Sequence, residues 1–150
     1  MRVAIAKARE GIALGQTPFG ACIARAGGLL SSAHNVVWQT TDITAHAEIH
    51  AIREACRKLS TVDLSGCVIY STCEPCPMCF SACHWARISK IVYGANIQDA
   101  LHSGFHELQI PNTRLKELSA SPVKIVSDFL RDEAVELFHL FDQQPNKRTY

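Results

Sequence analysis

The chain has 150 residues, 47% of them hydrophobic and 19% charged, and a formal net charge of +1. This length and composition predict one globular domain around a single core and exclude a disordered chain. The near-neutral charge disfavours nucleic acid as a partner, because proteins that neutralise many phosphates usually carry a strong basic excess.

Neither a secretory signal nor a membrane span is expected. Lys7, Arg9 and Glu10 interrupt the opening residues before a hydrophobic region develops, and no apolar run approaches the about 20 residues of a span. The chain has seven cysteines, an odd number, and four of them crowd into residues 73–83. This usage favours metal binding or reduced thiols over a disulfide framework, so we expect a cytoplasmic protein.

The predicted elements alternate between helices and strands along the chain. Amphipathic spacing indicates the helices, and short apolar runs bounded by turn residues indicate the strands. In chain order they are a helix over 2–15, a strand over 19–26, a turn at Gly27-Gly28, a strand over 29–37, a helix over 45–59, a strand over 67–70, a helix over 77–86, a strand over 91–94, an irregular stretch over 97–119 with two weak helical pieces, a strand over 123–126 and a helix over 128–141. This order predicts an α/β fold, a three-layer α/β/α sandwich with a mixed sheet.

The main chemical signal is a cysteine stretch read together with a histidine about thirty residues upstream. Cys76 and Cys79 are three apart, and His46 lies near a predicted helix start, as do the cysteines. Zinc favours tetrahedral nitrogen and sulfur ligands, and a catalytic zinc leaves one position open. Three protein ligands would therefore suit a catalytic Zn²⁺ site, with Glu48 as the nearby carboxylate that handles protons.

Other interpretations of these residues remain open at this point. Cys73, Cys76, Cys79 and Cys83 also have the spacing of an iron–sulfur run, although His84 follows where proline is usual. His46 and His50 are four apart, as in zinc proteases, but there the glutamate directly follows the first histidine. Each cysteine or histidine alone would be explained as an ordinary buried side chain. The combination, at two strand-to-helix junctions, favours a metal.

The combination His46-Ala47-Glu48 with Pro75-Cys76-Pro77-Met78-Cys79 matches the H-x-E…P-C-x-x-C signature of zinc nucleobase deaminases. The chain therefore resembles the cytidine/deoxycytidylate deaminase superfamily, and within it the bacterial guanine deaminases. The features that fit that branch are Pro18-Phe19-Gly20-Ala21, Asn35, Cys73-Glu74, Trp85-Ala86-Arg87, Ser103-Gly104-Phe105 and the closing Asn146-Lys147-Arg148-Thr149-Tyr150. The resemblance implies a five-stranded sheet between helices in a single zinc-dependent deaminase domain over 1–150. It also implies a C-terminal helix and tail, residues 129–150, that cap the active site.

The resemblance further implies the roles of the remaining site residues. Phe19 would lie on the purine, and Asn35 would hydrogen-bond it. Glu107 would be a second proton carrier, Tyr150 would close the pocket, and the backbone N–H groups near Ala47 and Cys76 would hold water and substrate. Each also has an ordinary explanation: Phe19 as core, Asn35 as a turn residue, Glu107 as a solvated loop residue and Tyr150 as a disordered terminus.

Two departures from the family pattern concern the substrate. Asp42-Ile43 stands where Asp-Pro is usual, and His106-Glu107 stands where two acidic residues are usual. The second lies in the loop that would touch the base, so it bears on which base is accepted.

The expected function is zinc-dependent hydrolytic deamination of a free purine base, guanine to xanthine and ammonia, by a homodimer with exchanged C-terminal segments. The alternatives are deamination of guanosine, cytosine or another nucleobase or nucleoside, a transfer-RNA adenosine deaminase, and a non-enzymatic zinc-stabilised module. Transfer RNA is disfavoured because the last helix has several acidic residues and only one lysine or arginine, Arg131, to contact phosphates. A purely structural zinc site would have a fourth protein ligand, whereas this chain has three ligands and the proton-handling carboxylate Glu48.

Overall fold

The computed structural model describes all 150 residues, and five of its segments are strands. They are β1 (Gly20–Arg25), β2 (Gly28–His34), β3 (Cys67–Cys73), β4 (Lys90–Ala95) and β5 (Lys124–Val126). They form one sheet in the order β2-β1-β3-β4-β5. β1 is antiparallel to both β2 and β3, whereas β4 is parallel to both β3 and β5. The expected mixed five-stranded sheet is confirmed.

Seven helices cover the sheet and its edges. They are α1 (Arg2–Ala13), α2 (Val37–Thr40), α3 (Ala47–Leu59), α4 (Pro77–Trp85), α5 (Ile97–His102), α6 (Asn112–Ser119) and α7 (Arg131–Asp142). α1 and α7 pack against each other and against the sheet, whereas α3 packs against β1, β2 and α4. The apolar stripe of α1, from Ala4 to Ile12, is buried at helical spacing. No helix combines the length and the apolar character that crossing a bilayer needs.

Two glycines let helices approach the sheet closely. A Cβ atom at Gly20 would collide with the carbonyl oxygen of Ala4 and lie 2.7 Å from the amide nitrogen of Ala8. A Cβ atom at Gly94 would come against the Cβ atom of Ala134 in α7. Glycine at these two positions therefore sets how near α1 and α7 pack to β1 and β4.

The hairpin between β1 and β2 differs by one residue from the predicted turn at Gly27-Gly28. The turn residues are Ala26 and Gly27, with φ angles of 49° and 80°, and Gly28 already pairs with Arg25. Two central residues with positive φ match the right-handed twist of the flanking strands. The sequence prediction put both glycines in the turn, but the strand register puts Ala26 in the first turn position and Gly28 in β2.

Two other boundaries also differ from the sequence prediction. β2 ends at His34, and the short helix α2, which the sequence prediction missed, follows it. The last helix begins at Arg131 and not at Asp128, because Asp128 and Leu130 have φ angles of 58° and 55°, which interrupt helical geometry.

The strand register collects distant residues at one edge of the sheet. Ala21 pairs with Ser71, so the residues before β1 and those after β3 leave the sheet on the same side. Gly20 pairs with His34, which brings the end of β2 to that side as well. Phe19, Asn35 and the cysteine stretch therefore share an edge, at the carboxyl end of β3, where α/β sheets usually bind ligands.

Substituting Gly20 with alanine is expected to lower the free energy of unfolding by about 3 kcal/mol, because the added methyl group would force α1 off the sheet. Urea denaturation would measure the change. Gly28→Ala is the matched control, since its Cβ atom would meet nothing closer than 3.5 Å. Equal stability of the two variants would contradict this account of the α1 contact.

Candidate active site

Two helix N-termini face each other at this edge. His46 is the N-cap of α3 and Cys76 the N-cap of α4, and both have extended backbone angles. Asp42 orders the approach to His46, because its carboxylate accepts hydrogen bonds from the backbone N–H and the hydroxyl of Thr44, at 2.8 and 2.7 Å. Pro77 follows Cys76 at the first position of α4, where its missing N–H costs nothing.

The three predicted metal ligands converge. His46 Nδ1 lies 3.7 Å from Cys76 Sγ and 3.5 Å from Cys79 Sγ, and the three ligand atoms lie within 4.8 Å of one another. Tetrahedral bonds of about 2.0–2.1 Å to nitrogen and 2.3 Å to sulfur would separate those atoms by about 3.6 Å. The donor set and its spacing therefore fit Zn²⁺ with a fourth position free.

The competing metal sets do not assemble. Cys73 turns away and donates to the backbone oxygen of Asn96 at 3.5 Å, and Cys83 is fully buried. His50 does not join the cluster, and its Nε2 atom is buried without a partner. Neither the four-cysteine iron–sulfur run nor the His46–His50 pair therefore forms a metal site.

The two thiols of the cluster ionise unequally in the absence of a cation. A hydrogen bond from Cys79 lowers the pKa of Cys76 to about 4. The same hydrogen bond, and then burial, raises the pKa of Cys79 well above its ordinary value. A divalent cation in the cluster would deprotonate both sulfurs, as coordinating thiols generally are.

Glu48 lies beside the cluster without belonging to it. Its side chain is buried, and burial raises the pKa of its carboxyl. Oε1 accepts a hydrogen bond from the Ser71 hydroxyl at 2.9 Å, while Oε2 lies 3.6 Å from Cys79 Sγ. One oxygen is thus fixed from β3, and the other faces the space that the three ligands surround.

Ser71 was missed by the sequence analysis. It is buried on β3 and has no spacing relation to His46 or Glu48. Alternation along a strand could have assigned it to one face of the sheet, but only the observed register identifies its partner.

A cavity of about 310 Å³ opens above the cluster. Its lining consists of Ile43, His46, Cys76, Pro77, Met78, His106, Glu107, Leu108 and Tyr150. Glu107 is half-buried there, and burial, followed by the charge of Cys76, raises its pKa to about 7. Ala47 is fully buried, and as the first residue of α3 it has an N–H group without an intrahelical acceptor.

Asn35 and Phe19 have protein partners in addition to their positions at this edge. Asn35 Nδ2 donates to the Tyr150 hydroxyl at 2.7 Å, and its Oδ1 accepts from the Val37 backbone N–H at 3.0 Å. Phe19 packs edge-on to Phe105, with ring centroids 4.8 Å apart. Phe19 also borders a small hollow shared with His46, Glu48 and Glu107. Phe19 thus combines a packing role with access to the site, whereas Asn35 has no exposed surface and reaches the site only through Tyr150.

The C-terminal tail lies over the site of its own chain. The Tyr150 ring centroid is 5.6 Å from that of His46, and a backbone oxygen of Tyr150 accepts from the His106 N–H at 2.9 Å. Trp38, another residue that the sequence analysis missed, anchors the tail. Its indole N–H donates to the Arg148 carbonyl at 3.1 Å, and the Arg148 guanidinium stacks 4.5 Å from its ring.

Comparison with known proteins agrees with this geometry. The chain belongs to the cytidine and deoxycytidylate deaminase family, because the model of that family's zinc-binding region matches residues 1–95. The resemblance inferred from the sequence is thereby confirmed, and so is the zinc cofactor. The protein is a member of a family of zinc-dependent hydrolytic deaminases.

The relatives include enzymes with two kinds of substrate. Guanine deaminase of Bacillus subtilis is 42% identical over 71% of this chain and 69% of its own. The tRNA-specific adenosine deaminase of the same organism is 32% identical over 99% of this chain and 89% of its own. The solved structure of guanine deaminase from Nitrosomonas europaea is 30% identical, covers 94% of this chain and 81% of its own, and superposes with a TM-score of 0.86.

The metal-binding set is testable by zinc content. His46→Ala, Cys76→Ala and Cys79→Ala should each lose tightly bound zinc, because two ligands cannot replace three. Cys73→Ala and Cys83→Ala should keep it, since neither sulfur reaches the cluster. Atomic absorption on the purified variants would measure zinc per chain. Loss of zinc from both single variants, Cys73→Ala and Cys83→Ala, would contradict the assignment.

Glu48 and Ser71 are expected to affect turnover and not zinc. Glu48→Gln should abolish deamination while zinc stays bound, because the proton carrier is lost but no ligand is. Ser71→Ala should lower kcat about 10- to 100-fold, the worth of a hydrogen bond to a charged group. Ser71→Thr, which keeps the hydroxyl, is the control. Normal turnover in Ser71→Ala would remove Ser71 from the positioning of Glu48.

Proposed function

We propose that the protein is a zinc-dependent hydrolytic deaminase of a free purine base, converting guanine to xanthine and ammonia. The observation that carries the proposal is the covered pocket. Tyr150 stands over the cluster, held by Asn35 and His106, above a cavity of about 310 Å³. That volume is at the lower end of the usual range for small-ligand pockets, about 300–1,000 Å³.

In this proposal His46, Cys76 and Cys79 hold the zinc. Zinc, when bound, lowers the pKa of a coordinated water toward neutrality and so supplies a nucleophile at working pH. Glu48 takes a proton released by the water and passes protons to the ring nitrogen and the departing amine. The N–H groups of Ala47 and Cys76 orient the water and the base.

The remaining pocket residues orient the base. Phe19 contributes an apolar surface, and Tyr150 with Asn35 closes the pocket and excludes bulk water. Glu107 serves as a second proton carrier at the edge of the base. Its half-buried position, and a pKa raised to about 7 by burial, support a carboxyl that can exchange a proton near neutrality.

Transfer-RNA adenosine is the second candidate substrate, and a specific observation favours it. The tRNA-specific relative aligns with nearly the whole chain, whereas the Bacillus guanine deaminase aligns with less of it.

Two features of the structure oppose transfer RNA as the substrate. A flipped nucleotide must bring its sugar and phosphates through the pocket mouth, where Tyr150 lies. The basic groups near α7 are also engaged, since Arg131 pairs with Asp99 and Arg2 with Glu133. The position of Tyr150 at the pocket mouth and the pairing of these basic groups both favour the free base over transfer RNA.

A homodimer with exchanged tails is also part of the proposal. The tail reaches its own site here, and the same contacts with Trp38, Asn35 and His106 would be available to the tail of a second copy.

Ammonia release would test the substrate class. The zinc-loaded protein should release ammonia from guanine and not at a comparable rate from guanosine, cytosine or adenosine. A variant lacking residues 146–150 should lose most of its activity on guanine, because the pocket then stays open to water. Zinc content and thermal unfolding of both proteins serve as controls for folding.

Other outcomes would contradict the proposal. Absence of ammonia from every free base would reject base deamination. Formation of inosine in transfer RNA without guanine turnover would establish the second candidate in its place. Full activity of the truncated protein would remove Tyr150 from the site.

A further inference from the structure

The segment that carries Glu107 to the pocket comprises residues 103–111, between α5 and α6, and its first residues are held by backbone hydrogen bonds from Ser103, Gly104 and Phe105 to α5. No hydrogen bond in the structure involves the backbone groups of Glu107. The neighbouring residue His106 is tied to Tyr150, and Phe105 is buried against the rings of Phe19 and Phe141. The position of Glu107 therefore depends on how the two ends of this segment are held.

The far end of the segment is fixed by Asn112, the first residue of α6, which has no exposed surface. Its backbone N–H donates to Glu74 Oε1 at 2.7 Å, and its side-chain Nδ2 donates to the carbonyl oxygen of Pro75 at 2.6 Å. Glu74 is itself buried, and its backbone N–H donates to Ala95 at the end of β4. A carboxylate at a helix N-terminus is favoured by the helix dipole.

These contacts join two parts of the site that are far apart in sequence. Glu74 and Pro75 directly precede the ligand Cys76, and Asn112 follows Glu107 by five positions. Asn112 is 38 residues from Glu74, so this connection is tertiary and not local. The far end of the segment that carries Glu107 is thus held in a fixed relation to the turn that carries a metal ligand.

We infer that Glu74 and Asn112 form a clamp that positions Glu107 over the metal cluster. Neither lines the 310 Å³ cavity in which the base would bind. Glu74 borders the small hollow beside the metal cluster, but its carboxylate is engaged by the Asn112 N–H, so we treat both as positioning residues. The inference rests on the proposed function, in which Glu107 moves a proton. Reacting groups displaced by about 1 Å can lose about 100-fold in rate, so a loosened clamp would act through the chemical step.

Asn112→Ala removes the bond to Pro75 and should lower kcat for guanine about 10- to 100-fold while zinc stays bound. Glu74→Ala should act similarly, and Glu74→Gln, which keeps an acceptor for the Asn112 N–H, should lose less. Arg114→Ala is the matched control, because this exposed residue of α6 bonds only within its own helix and to Pro111. It should leave kcat unchanged.

A double-mutant cycle separates positioning from a general loss of structure. In a Glu107→Gln background, Asn112→Ala should cost less than about twofold in kcat, because the group that the clamp positions is already removed. An equal cost in both backgrounds would overturn the inference, and so would loss of zinc in Asn112→Ala.

Hydrogen exchange gives a readout that does not depend on the substrate. The hydrogen-bonded backbone amides of this region, those of residues 104, 105, 106, 110 and 112, should exchange at least about tenfold faster in zinc-loaded Asn112→Ala than in the parent or in Arg114→Ala. If no base is deaminated, the proposed function fails while this measurement still tests the clamp. Unchanged exchange would overturn the clamp even in an active guanine deaminase.

Discussion

The site depends on the meeting of two helix N-termini at the carboxyl edge of the sheet. α3 presents His46 and α4 presents Cys76 and Cys79, which places the His46 nitrogen 3.7 and 3.5 Å from the two sulfurs. Each N-terminus contributes a partial positive charge and free N–H groups. That field favours thiolates and an oxyanion, so the backbone supplies part of the electrostatics before any cation binds.

This arrangement buries the Glu48 carboxyl, which is energetically unfavourable. A carboxyl removed from water loses solvation, and its pKa rises accordingly. The Ser71 hydroxyl offsets the lost solvation of one carboxylate oxygen by donating a hydrogen bond to it. The nearby metal cluster would offset the lost solvation of the other oxygen. The same low-dielectric surroundings strengthen every interaction with a charge that develops during reaction. A group that is unfavourable for folding is therefore suited to proton transfer, as is common for buried carboxyls at functional sites.

The metal cluster was predictable from sequence because its ligands lie in two short motifs at helix N-termini. Periodicity likewise predicted the strands and main helices to within a few residues. The shifted turn at Ala26-Gly27 was not predictable, since the pairing of β1 with β2 decides which residue takes positive φ. Ser71, Trp38 and Asn112 were missed for a related reason. Their partners are 23, 110 and 38 positions away, and only the folded register brings them together.

What distinguishes a base deaminase from one acting on a nucleotide chain lies outside the metal cluster, in the elements that cover it. Segment 103–111 and the tail meet through a backbone bond from His106 to Tyr150 and through the packed rings of Phe105 and Tyr150. Tyr150 also packs on His46, and the tail has hydrogen bonds with Trp38 and Asn35. The Trp38 bond is exposed to solvent, whereas the Asn35–Tyr150 bond is partly buried. In the proposed function a substrate would displace this cover to enter, and the closed state would then exclude water from the reaction. The segment carrying Glu107 touches the tail, and the residue that follows the segment, Asn112, bonds to the turn before Cys76. Closure of the pocket and placement of Glu107 are therefore linked through the same few contacts, and a change in this segment would affect substrate choice and turnover together.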